Sequence, residues 1–422
     1  MKILLMHIQD AAPGPLVPPL GMACVAAAVR RAGYAVWQVS LRSGELGLRL
    51  PALLARLKPD AIGLSVRNVD NQSLERPVFF LESARQAVAL CHRYSRAPVI
   101  VGGAGFSVFG QRALDYLRAD YGICGEGEAS FVELLQRLQP RQSPSGLRGR
   151  LPAREVLISD TSPDLSTRQI PRPGKDLLLP PPGLSADLWV PFQTRRGCAM
   201  DCSYCATAAI EGRALRRRPV AQVVSSLHEY LDRGYRRIFF VDNTFNLPES
   251  YALALCEAFQ ASGLRFEWKA IVYPWRVSTK LVRSMAAAGC TEVSLGFESG
   301  SRAVLEAMHK RFCPEDVDTV SRRLRGHGIR RLGFLLLGGP AETRETVMES
   351  LRFADHLDCD ALKMTVGLRI YPGTQLAAMA LRDGIITAAS DLLRPAFYLA
   401  PGLATWLPEI VAEWMADRPH WS

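Results

Sequence analysis

The sequence contains no run of about 18 consecutive apolar residues, the length that a membrane-crossing helix requires. The first apolar stretch, KILLMHI at residues 2–8, ends before Gln9 and Asp10 and is too short for the core of a signal peptide. The composition is also unlike that of a disordered chain, because 48% of the 422 residues are hydrophobic and 22% are charged. We therefore expect a folded, water-soluble protein without a membrane span, located in the cytoplasm.

Acidic residues are fewer than basic ones, 41 against 51, so the formal net charge is +10 at pH 7. Much of the excess lies in two arginine-rich segments, GRALRRRP at residues 212–219 and SRRLRGHGIRR at residues 321–331. Such runs are more often solvated helix faces or turns than surfaces for nucleic acid or another anionic ligand. Charge alone therefore does not predict a nucleic-acid partner, and we expect none.

The sequence also lacks a framework of paired cysteines. Ten cysteines are spread over the chain, and only one group is dense, in TRRGCAMDCSYCAT at residues 194–207. This pattern is typical of a reduced compartment and a metal site. The other seven cysteines are isolated in sequence, and we interpret them as core residues: Cys24, Cys91, Cys124, Cys256, Cys290, Cys313 and Cys359.

The dense group has the spacing C-x3-C-x2-C and consists of Cys198, Cys202 and Cys205. Thiolates suit soft or borderline metals, and a loop of this length can hold one zinc ion or one iron–sulfur cluster. A structural zinc site generally needs a second cysteine hairpin, which is missing here. Three ligands on a four-iron cluster would leave one iron open to a substrate or cofactor. Chance clustering in a core is the alternative, but the polar neighbours Arg195, Arg196 and Asp201, which we expect to be exposed, argue against plain burial.

Short apolar runs alternate with helix-like segments over residues 1–139. The alternation gives five β/α units, and runs that are apolar throughout are typical of parallel strands buried on both faces. The sequence therefore predicts an α/β domain with a doubly wound parallel sheet of the Rossmann or flavodoxin type. The predicted strands lie at residues 2–8, 34–39, 61–66, 98–103 and 121–127.

Proline, serine and glycine crowd residues 140–190, which we interpret as a linker with room for one or two short strands. The alternation resumes at residue 191 and gives six β/α units up to residue 385, followed by a C-terminal extension over residues 386–422. Six units are fewer than the eight of a full barrel, so we expect a partial, open (β/α)6 barrel of the TIM type. Its ligands should lie at the C-terminal ends of its strands.

The motif CAMDCSYC, with the aromatic Tyr204 before its last cysteine, closely resembles the cluster loop of radical S-adenosylmethionine (SAM) enzymes. The resemblance covers about residues 190–375. It implies that the three cysteines hold a [4Fe–4S] cluster whose open iron is chelated by SAM, and that an electron from the cluster cleaves SAM to methionine and a 5′-deoxyadenosyl radical. Four further motifs follow in family order: FVDNTF (240–245), EVSLGFESGSRAVLEAMHK (292–310), FLLLGGPAET (334–343) and IYPGT (370–374).

The same resemblance implies polar contacts to SAM at the strand ends. Asp242 would meet the methionyl amino group, while Glu298 and Ser299 would face the ribose and the carboxylate. The residues themselves leave another interpretation open, since acids at strand-to-helix junctions often cap helices. Asn243 follows Asp242 where the family often has a second acid, which puts that particular contact in question.

Two further sets of candidates rest on the resemblance. Gly338, Gly339 and Pro340 would let the backbone approach the adenine, because glycine permits such closeness. The glycines could equally serve only a turn. Tyr398 lies in a segment that in relatives returns toward the barrel mouth, so it is a candidate for the substrate pocket, with a core aromatic as the alternative.

The segments PPLGMACVAAAVRRAGY, IGLSVRNVDN, VIVGGAGFSV and YGICGEGE look like the cobalamin-binding domain of cobalamin-dependent radical SAM enzymes. This resemblance covers roughly residues 1–139 and implies a cobalamin at the strand ends. The residues expected to bind the cofactor lie in the loops after the third, fourth and fifth strands: Arg67, Asn68, Asp70, Gly102, Gly103, Gly125, Glu126 and Gly127.

One departure from other cobalamin carriers concerns the lower face of cobalt. The motif D-x-H-x-x-G, whose histidine ligates cobalt, is missing, and we interpret His7 as a core or strand-end residue of the first strand. The resemblance then places the loop Arg67–Asn71 beneath the cobalt, with a salt-bridged loop arginine as the alternative for Arg67. Flavin or nucleotide binding is the other alternative for such a sheet, but the first loop lacks G-x-G-x-x-G.

Together the two resemblances imply a cobalamin-dependent radical SAM methyltransferase. One SAM would convert cobalamin to methylcobalamin, and a second would generate the radical that takes hydrogen from an unactivated carbon of a small molecule, natural product or peptide. An electron donor of the flavodoxin or ferredoxin type would reduce the cluster. Cyclisation, ring contraction or rearrangement without methyl transfer is the first alternative. A non-catalytic protein that binds cobalamin and an iron–sulfur cluster is the second.

Overall fold

The computed structural model describes residues 1–10, 18–139, 155–158, 170–179 and 188–418. Within these ranges no helix combines the length and the apolar character needed to cross a membrane. The chain forms two compact units, each built around a parallel β-sheet. The first comprises Met1–Asn71, Val78–Pro180 and Thr207–Gly212, and the second Gln72–Pro77, Pro181–Ala206 and Arg213–Ser422.

Six strands form the sheet of the first unit: β1 (Lys2–Gln9), β2 (Ala35–Arg42), β3 (Ala61–Ser65), β4 (Val99–Gly102), β5 (Tyr121–Cys124) and β6 (Glu155–Ile158). All pairings are parallel, and the order is β2-β1-β3-β4-β5-β6. The first five strands confirm the predicted doubly wound sheet in its flavodoxin order. The sixth strand, β6, comes from the proline-rich segment and extends the sheet beside β5.

Helices cover both faces of this sheet. Helix α1 packs against α6, and α2 packs against α3. The strand order reverses between β1 and β3, so the ligand crevice expected of such a sheet lies at the carboxyl ends of the strands. The helices are α1 (Leu20–Arg31), α2 (Leu46–Leu57), α3 (Leu81–Tyr94), α4 (Ala104–Phe109), α5 (Gln111–Leu117), α6 (Gly127–Leu138) and the short α7 (Thr207–Glu211).

The second unit contains six parallel strands: β7 (Val190–Phe192), β10 (Arg237–Phe240), β11 (Glu267–Val272), β12 (Cys290–Glu298), β13 (Arg330–Leu337) and β14 (Ala361–Val366). They lie side by side in chain order, from β7 at one edge to β14 at the other. Successive strands are joined by helices, which confirms the predicted partial (β/α)6 barrel. The connecting and C-terminal helices are α8 (Val220–Asp232), α9 (Glu249–Ala261), α10 (Thr279–Ala287), α11 (Arg302–Ala307), α12 (Pro314–Gly326), α13 (Arg344–Leu357), α14 (Gln375–Arg382) and α15 (Leu407–Ala416).

Aromatic side chains fill the core beneath the first strands of this sheet. The Phe240 ring stacks on Phe259 with centroids 5.7 Å apart, and Trp268 meets Phe240 edge-on at 5.3 Å. The buried indole of Trp268 donates to the carbonyl of Ala288 at 2.8 Å, so its polar atom is satisfied. This packed core holds β10 and β11 in place.

Two short antiparallel pairs accompany the barrel strands. Strands β8 (Arg195–Arg196) and β9 (Arg216–Arg217) pair with each other, and the cysteine-rich segment begins directly after β8. Strand β7 ends at Phe192, so this segment leaves the sheet at the carboxyl end of its first strand. The second pair joins β15 (Leu368–Arg369) to β16 (Phe397–Tyr398).

Candidate active site

The three cysteines lie in a loop over residues 197–206, which begins with Gly197 in a left-handed conformation, φ 90°. Cys198 is buried, Cys202 is half-buried and Cys205 is exposed, with the Cys205 amide donating to the carbonyl of Cys202 at 3.1 Å. Burial raises the pKa of Cys202, and the nearby Lys310 ammonium opposes that rise.

The middle of this loop is tied to two other elements of the barrel. The amide of Ser203 donates to the carbonyl of Met308 at 3.1 Å, just after α11. The carbonyl of Ser203 accepts from the amide of Leu376 in α14 at 2.8 Å. Because its backbone is anchored on both sides, the loop can present the thiols in a fixed arrangement.

The donor set fits a cluster better than a single ion. Across the described ranges, no three or more His, Cys, Asp or Glu side chains form a group that could hold one metal ion. A four-iron cluster bound by three thiolates would keep one iron for another ligand. Thiolates are also the ligands that iron–sulfur clusters use. The loop thus suits a [4Fe–4S] cluster held by three cysteines.

Asp242 lies behind the entry to the loop and is fully buried. Its carboxylate accepts from the amide and hydroxyl of Thr194 at 2.7 and 2.5 Å and from the amide of Arg195 at 3.1 Å. Burial raises the pKa of Asp242, and the Arg195 guanidinium, 3.5 Å away, opposes that rise. These contacts support a role in positioning the cluster loop, and the expected contact to the methionyl amino group stays a prediction.

The Arg195 side chain is as deeply buried as the carboxylate that it faces. Its guanidinium donates to the carbonyl of Leu247 and lies 4.7 Å from the ring centroid of Tyr251. A buried charge pair of this kind contributes little net stability, but removing one partner leaves the other charge uncompensated. The expectation that Arg195 and Arg196 are exposed is therefore wrong, since both side chains are buried, and the sequence did not indicate the pairing of Arg195 with Asp242.

Tyr204, Glu298 and Lys310 form one hydrogen-bonded group beside the cluster loop. The Lys310 ammonium donates to Glu298 Oε1 at 3.0 Å and to the Tyr204 hydroxyl at 2.9 Å, and that hydroxyl donates to the same Oε1 at 3.0 Å. Burial alone would lower the pKa of Lys310, but the Glu298 carboxylate and the hydrogen bond to Tyr204 outweigh it, so the pKa is raised well above its usual value. The lysine is therefore a fixed positive charge.

The backbone at Glu298 has an unusual conformation. Its φ is +62°, in the left-handed region that non-glycine residues rarely occupy, and the pairing of β12 with β13 shifts register between Gly296 and Glu298. A Cβ at Gly296 would come within 2.9 Å of Glu298 Oε1, so glycine leaves room for the carboxylate. Strained conformations of this kind concentrate at functional sites. This geometry aims Glu298 at Tyr204, the residue before the third cysteine.

Ser299 makes its contacts inside the second unit. It is fully buried, its hydroxyl lies 2.8 Å from the Ser350 hydroxyl, and it accepts from the amide of Ser301 at 3.1 Å. A Cβ at the neighbouring Gly300 would overlap Phe353. The segment after β12 is thus held by α13, and the hydroxyl of Ser299 is occupied by that packing.

The segment after β13 is built around Glu342, which the sequence did not single out. Its carboxylate accepts from the amides of Gly338 and Gly339, the latter at 2.7 Å. Its other oxygen, Oε1, is buried without a hydrogen-bond partner. Burial raises the pKa of Glu342 to about 7, against the effect of the two amides. The acid of the motif GGPAET therefore shapes the turn predicted to approach the adenine.

The two glycines of this turn are surrounded by their own chain. Gly338 has φ +94°, and a Cβ there would overlap Leu399, while a Cβ at Gly339 would overlap Met308. Pro340 is buried beside them. Tight internal packing therefore accounts for the two glycines, and an approach to adenine stays a prediction.

Tyr398 is buried in β16, opposite Leu368 of β15. Its hydroxyl donates to Asp383 Oδ2 at 2.7 Å. Burial together with that carboxylate raises the pKa of Tyr398 to about 12, so the phenol is neutral at physiological pH. These contacts are compatible with a core aromatic, and a place for Tyr398 in a substrate pocket stays a prediction.

In the first unit, the loops after β3 and β4 touch through their backbones. The amide of Val66 donates to the carbonyl of Gly102 at 2.8 Å, and the carbonyl of Val66 accepts from the amide of Gly105 at 3.1 Å. Gly103 has φ +106°, and a Cβ there would lie 2.5 Å from the Val66 oxygen. Only glycine fits this approach.

Ser107, which the sequence did not single out, links the loops after β4 and β5. Its hydroxyl donates to the carbonyl of Gly103 at 2.9 Å and accepts from the amide of Gly125 at 2.9 Å. Gly125 has φ +82°. Glu126 and Gly127 then begin α6, where a Cβ at Gly127 would come within 3.2 Å of Val25.

The three loops thus form a continuous edge of closely approaching backbone, which is the kind of surface a large planar cofactor needs. Arg67 and Asn68 are exposed on this edge, whereas Asp70 is buried and forms a bridge with Phe79. His7 lies within β1, with Nδ1 3.3 Å from the carbonyl of Ser65, and burial lowers its pKa. The edge therefore fits the cobalamin expected there.

Two family profiles match the chain. The profile of the Radical SAM superfamily matches residues 193–354, and that of the B12 binding domain matches residues 7–135. The two matches coincide with the second and the first parallel sheet, and together they cover more than half of the chain.

Several known proteins are similar to this chain. The uncharacterized methyltransferase PH0819 of Pyrococcus horikoshii is 30% identical over 274 residues, which cover 63% of this chain and 58% of that protein. The cytidylyl-2-hydroxyethylphosphonate methyltransferase of Streptomyces wedmorensis is 23% identical over 461 residues, covering 94% of this chain and 84% of the relative. The structure of the radical SAM methyltransferase TsrM from Kitasatospora setae, with tryptophan and a SAM analog bound, superposes with a TM-score of 0.84 at 21% identity, covering 100% and 90% of the two chains. That likeness shows a common fold.

Proposed function

Because the chain belongs to the family that joins a B12-binding domain to a radical SAM domain, we propose that it is a cobalamin-dependent radical SAM methyltransferase. Its substrate would be a small molecule, natural product or peptide that receives a methyl group on an unactivated carbon. The observation that carries the proposal is the loop of three thiols, anchored at Ser203 and flanked by the group of Tyr204, Glu298 and Lys310. Relatives that are named methyltransferases support the type of reaction.

The cofactors are a [4Fe–4S] cluster, SAM and cobalamin, as the two matching domains imply. When bound, the cluster supplies the electron that cleaves SAM, and cobalamin carries the methyl group. Cys198, Cys202 and Cys205 would hold the cluster. The chain supplies geometry and electrostatics to this chemistry, since cofactors of this kind perform the bond-breaking steps themselves.

The polar group beside the cluster would orient the nucleoside part of SAM. Lys310, 3.0 Å from Glu298, would keep the Glu298 carboxylate in place to accept hydrogen bonds from ribose hydroxyls. Asp242 and Arg195 keep the entry of the cluster loop in place from behind. Glu342 fixes the turn at Gly338 that would line the adenine. Each of these residues acts by positioning, and none needs to exchange a proton.

The loops of the first unit would hold the corrin. Glycine at position 103 lets two strand-end loops approach each other, and Ser107 joins the third. Arg67 is exposed on this edge and would add a positive charge beside the corrin.

The reaction also implies a partner and a location. Reduction of the cluster would require an electron donor of the flavodoxin or ferredoxin type. Thiolate ligands and a low-potential donor need a reducing compartment, which supports the cytoplasm as the location.

Anaerobic purification followed by cofactor analysis tests this function. We expect about four iron and four sulfide per chain, a corrinoid identified by mass, and a visible spectrum that contains both chromophores. The triple variant C198A/C202A/C205A should lose the iron and retain the corrinoid. Iron without corrinoid, even after reconstitution with cobalamin, would overturn the assignment of the first unit.

A further inference from the structure

Beside the cluster loop lies an exposed basic surface, which we name the Trp275 surface and define by Trp275, Arg276 and Arg311. The Arg276 guanidinium lies 4.2 Å from the indole centroid, and that of Arg311 lies 5.7 Å from it. Both arginines are exposed and Trp275 is half-buried. Two exposed guanidinium groups therefore lie close to the Trp275 indole at the surface of the second unit.

This surface is connected directly to the loop that holds the cysteines. Arg311 Nη2 reaches the carbonyl of Ala199, the residue after Cys198, at 3.5 Å. The amide of Arg311 donates to the Tyr273 hydroxyl at 2.9 Å. A protein seated on the Trp275 surface would therefore touch the outer side of the cluster loop.

The loop that carries Trp275 is rigid. The buried Asn246 donates to the carbonyl of Tyr273 at 2.9 Å and to that of Trp275 at 3.3 Å, and it accepts from the amide of Tyr273 at 2.9 Å. One side chain thus fixes three backbone groups after β11. A preformed loop loses little conformational freedom when a partner docks.

In the described part of this unit some exposed arginines are paired with acids, while others, Arg233 and Arg265 among them, are not. Arg213, Arg302 and Arg322 each form an ion pair with a nearby carboxylate. Over the described part of the chain, neither Arg276 nor Arg311 has such a pair.

The nearby acids are occupied elsewhere. Glu249 accepts from the hydroxyl of Ser278 at 2.6 Å, and Asp316 accepts from the amide of Cys313 at 3.0 Å. The donors in these bonds are neutral, so both carboxylates keep their charge, but neither forms an ion pair with Arg276 or Arg311 in the described part of the chain.

The chemistry of this surface indicates an acidic partner. Tryptophan and arginine are the residues most enriched at the energetic centres of protein interfaces. Opposite charge speeds the encounter of two proteins and selects among partners. The whole chain has a formal net charge of +10, which adds long-range attraction for an acidic protein. The partner that the cluster requires is an electron donor.

We propose that the Trp275 surface docks a small acidic one-electron carrier protein with a flavin or iron–sulfur centre. This inference rests on the proposed function, because only a redox-active cluster needs such a carrier. In the docked pair one electron leaves the reduced centre of the carrier and enters the cluster, so the carrier is oxidised by one electron and the cluster is reduced by one. No bond forms or breaks in this step.

Charge reversal on this surface tests the proposal. The variant R276E/R311E is compared with the control R233E/R265E, which changes the net charge by the same amount. Arg233 and Arg265 are exposed and lie just before β10 and β11, at the opposite ends of the barrel strands. The dissociation constant for oxidised flavodoxin is measured by calorimetry on cluster-replete protein at low and high salt. We expect at least about tenfold weaker binding for R276E/R311E at low salt and a flatter salt dependence, with the control unchanged.

The single variant R276E leaves the contact between Arg311 and the cluster loop in place, because Arg276 makes no such contact. It therefore separates docking from any disturbance of the loop. It should weaken flavodoxin binding several-fold while its iron content stays that of the unaltered protein. Equal dissociation constants for R276E/R311E, the control and the unaltered protein would overturn the proposal. So would unchanged flavodoxin binding combined with a raised substrate KM, which would assign the surface to the substrate.

A second measurement separates this inference from the proposed function. SAM cleavage is driven either by dithionite, which needs no docking surface, or by reduced flavodoxin. We expect R276E to lose rate only with flavodoxin. Failure of both reductants with the unaltered protein would refute the proposed function, whereas equal loss with both reductants in R276E would refute the docking site.

Discussion

The Lys310 ammonium lies 3.0 Å from Glu298 Oε1 and joins the end of β12 to the cluster loop through Tyr204. The Lys310 side chain is 3% exposed and that of Glu298 is 12% exposed, so water screens this pair only weakly. The carboxylate predicted to face the ribose is therefore held by a neighbouring cation. Its orientation does not depend on bound SAM.

Replacing Lys310 with methionine should lower the free energy of unfolding by about 3 kcal/mol, because Glu298 then keeps a buried charge without its partner. The double variant E298Q/K310M should lose less than K310M alone, since no lone charge remains. Urea unfolding of the cofactor-free protein measures both. If the loss in the double variant equals the sum of the losses in E298Q and K310M, the two side chains are not coupled.

Replacing Asp242 with asparagine should reduce both stability and cluster content. The change leaves Arg195 buried with its charge uncompensated and weakens the bonds that hold Thr194 at the loop entry. We expect a loss of about 3 kcal/mol in unfolding free energy and less iron per chain after reconstitution. The matched variant D232N, at an exposed position ending α8, should change neither quantity. Full iron content in D242N would contradict a positioning role.

Glu342 should make stability depend on pH. Its folded-state pKa of about 7 lies above the ordinary value of 4.5, so between these values the folded protein binds more protons than the unfolded chain. The contribution of Glu342 to stability therefore falls as pH rises through that window, by up to about 1.4 kcal/mol per pH unit. The unfolding free energy of the unaltered protein minus that of E342Q should decrease from pH 5 to pH 7. A flat or rising difference would contradict the raised pKa.

Gly103 should be essential for the cobalamin edge. Alanine would place a Cβ 2.5 Å from the Val66 oxygen at a φ of +106°, so the loops after β3 and β4 must separate. We expect G103A to lose about 2 kcal/mol or more of stability and most of its bound corrinoid. G21A serves as the control, since a Cβ at the exposed Gly21 meets nothing within 4 Å. Corrinoid retention by G103A equal to that of G21A would refute this role.

Both sheets and the cysteine loop could be predicted because their signals are local. The strands of each sheet are short apolar runs bounded by turn residues, and Cys198, Cys202 and Cys205 lie within eight positions. For the strand Glu155–Ile158 the sequence predicts no more than room for one or two short strands in the linker. Its four residues carry too little periodicity, and its stability comes from pairing with β5.

The partners of the site residues could not be predicted, because their contacts join distant parts of the chain. Lys310 is 106 positions from Tyr204, and Thr194 is 48 from Asp242. Sequence spacing indicates which residue types are near a strand end, but only the packed structure decides which of them bind each other. For the same reason the sequence did not indicate that the Asp242 carboxylate binds the backbone of Thr194 and Arg195.

The central claim is that the three thiols hold a cluster that acts on SAM together with cobalamin. The most direct measurement incubates anaerobic, cofactor-replete protein with SAM and a reductant and quantifies 5′-deoxyadenosine and S-adenosylhomocysteine by mass spectrometry. We predict that both products form and that replacing any one of Cys198, Cys202 and Cys205 with alanine abolishes the 5′-deoxyadenosine. Formation of neither product by cluster-replete, cobalamin-loaded protein would contradict the claim.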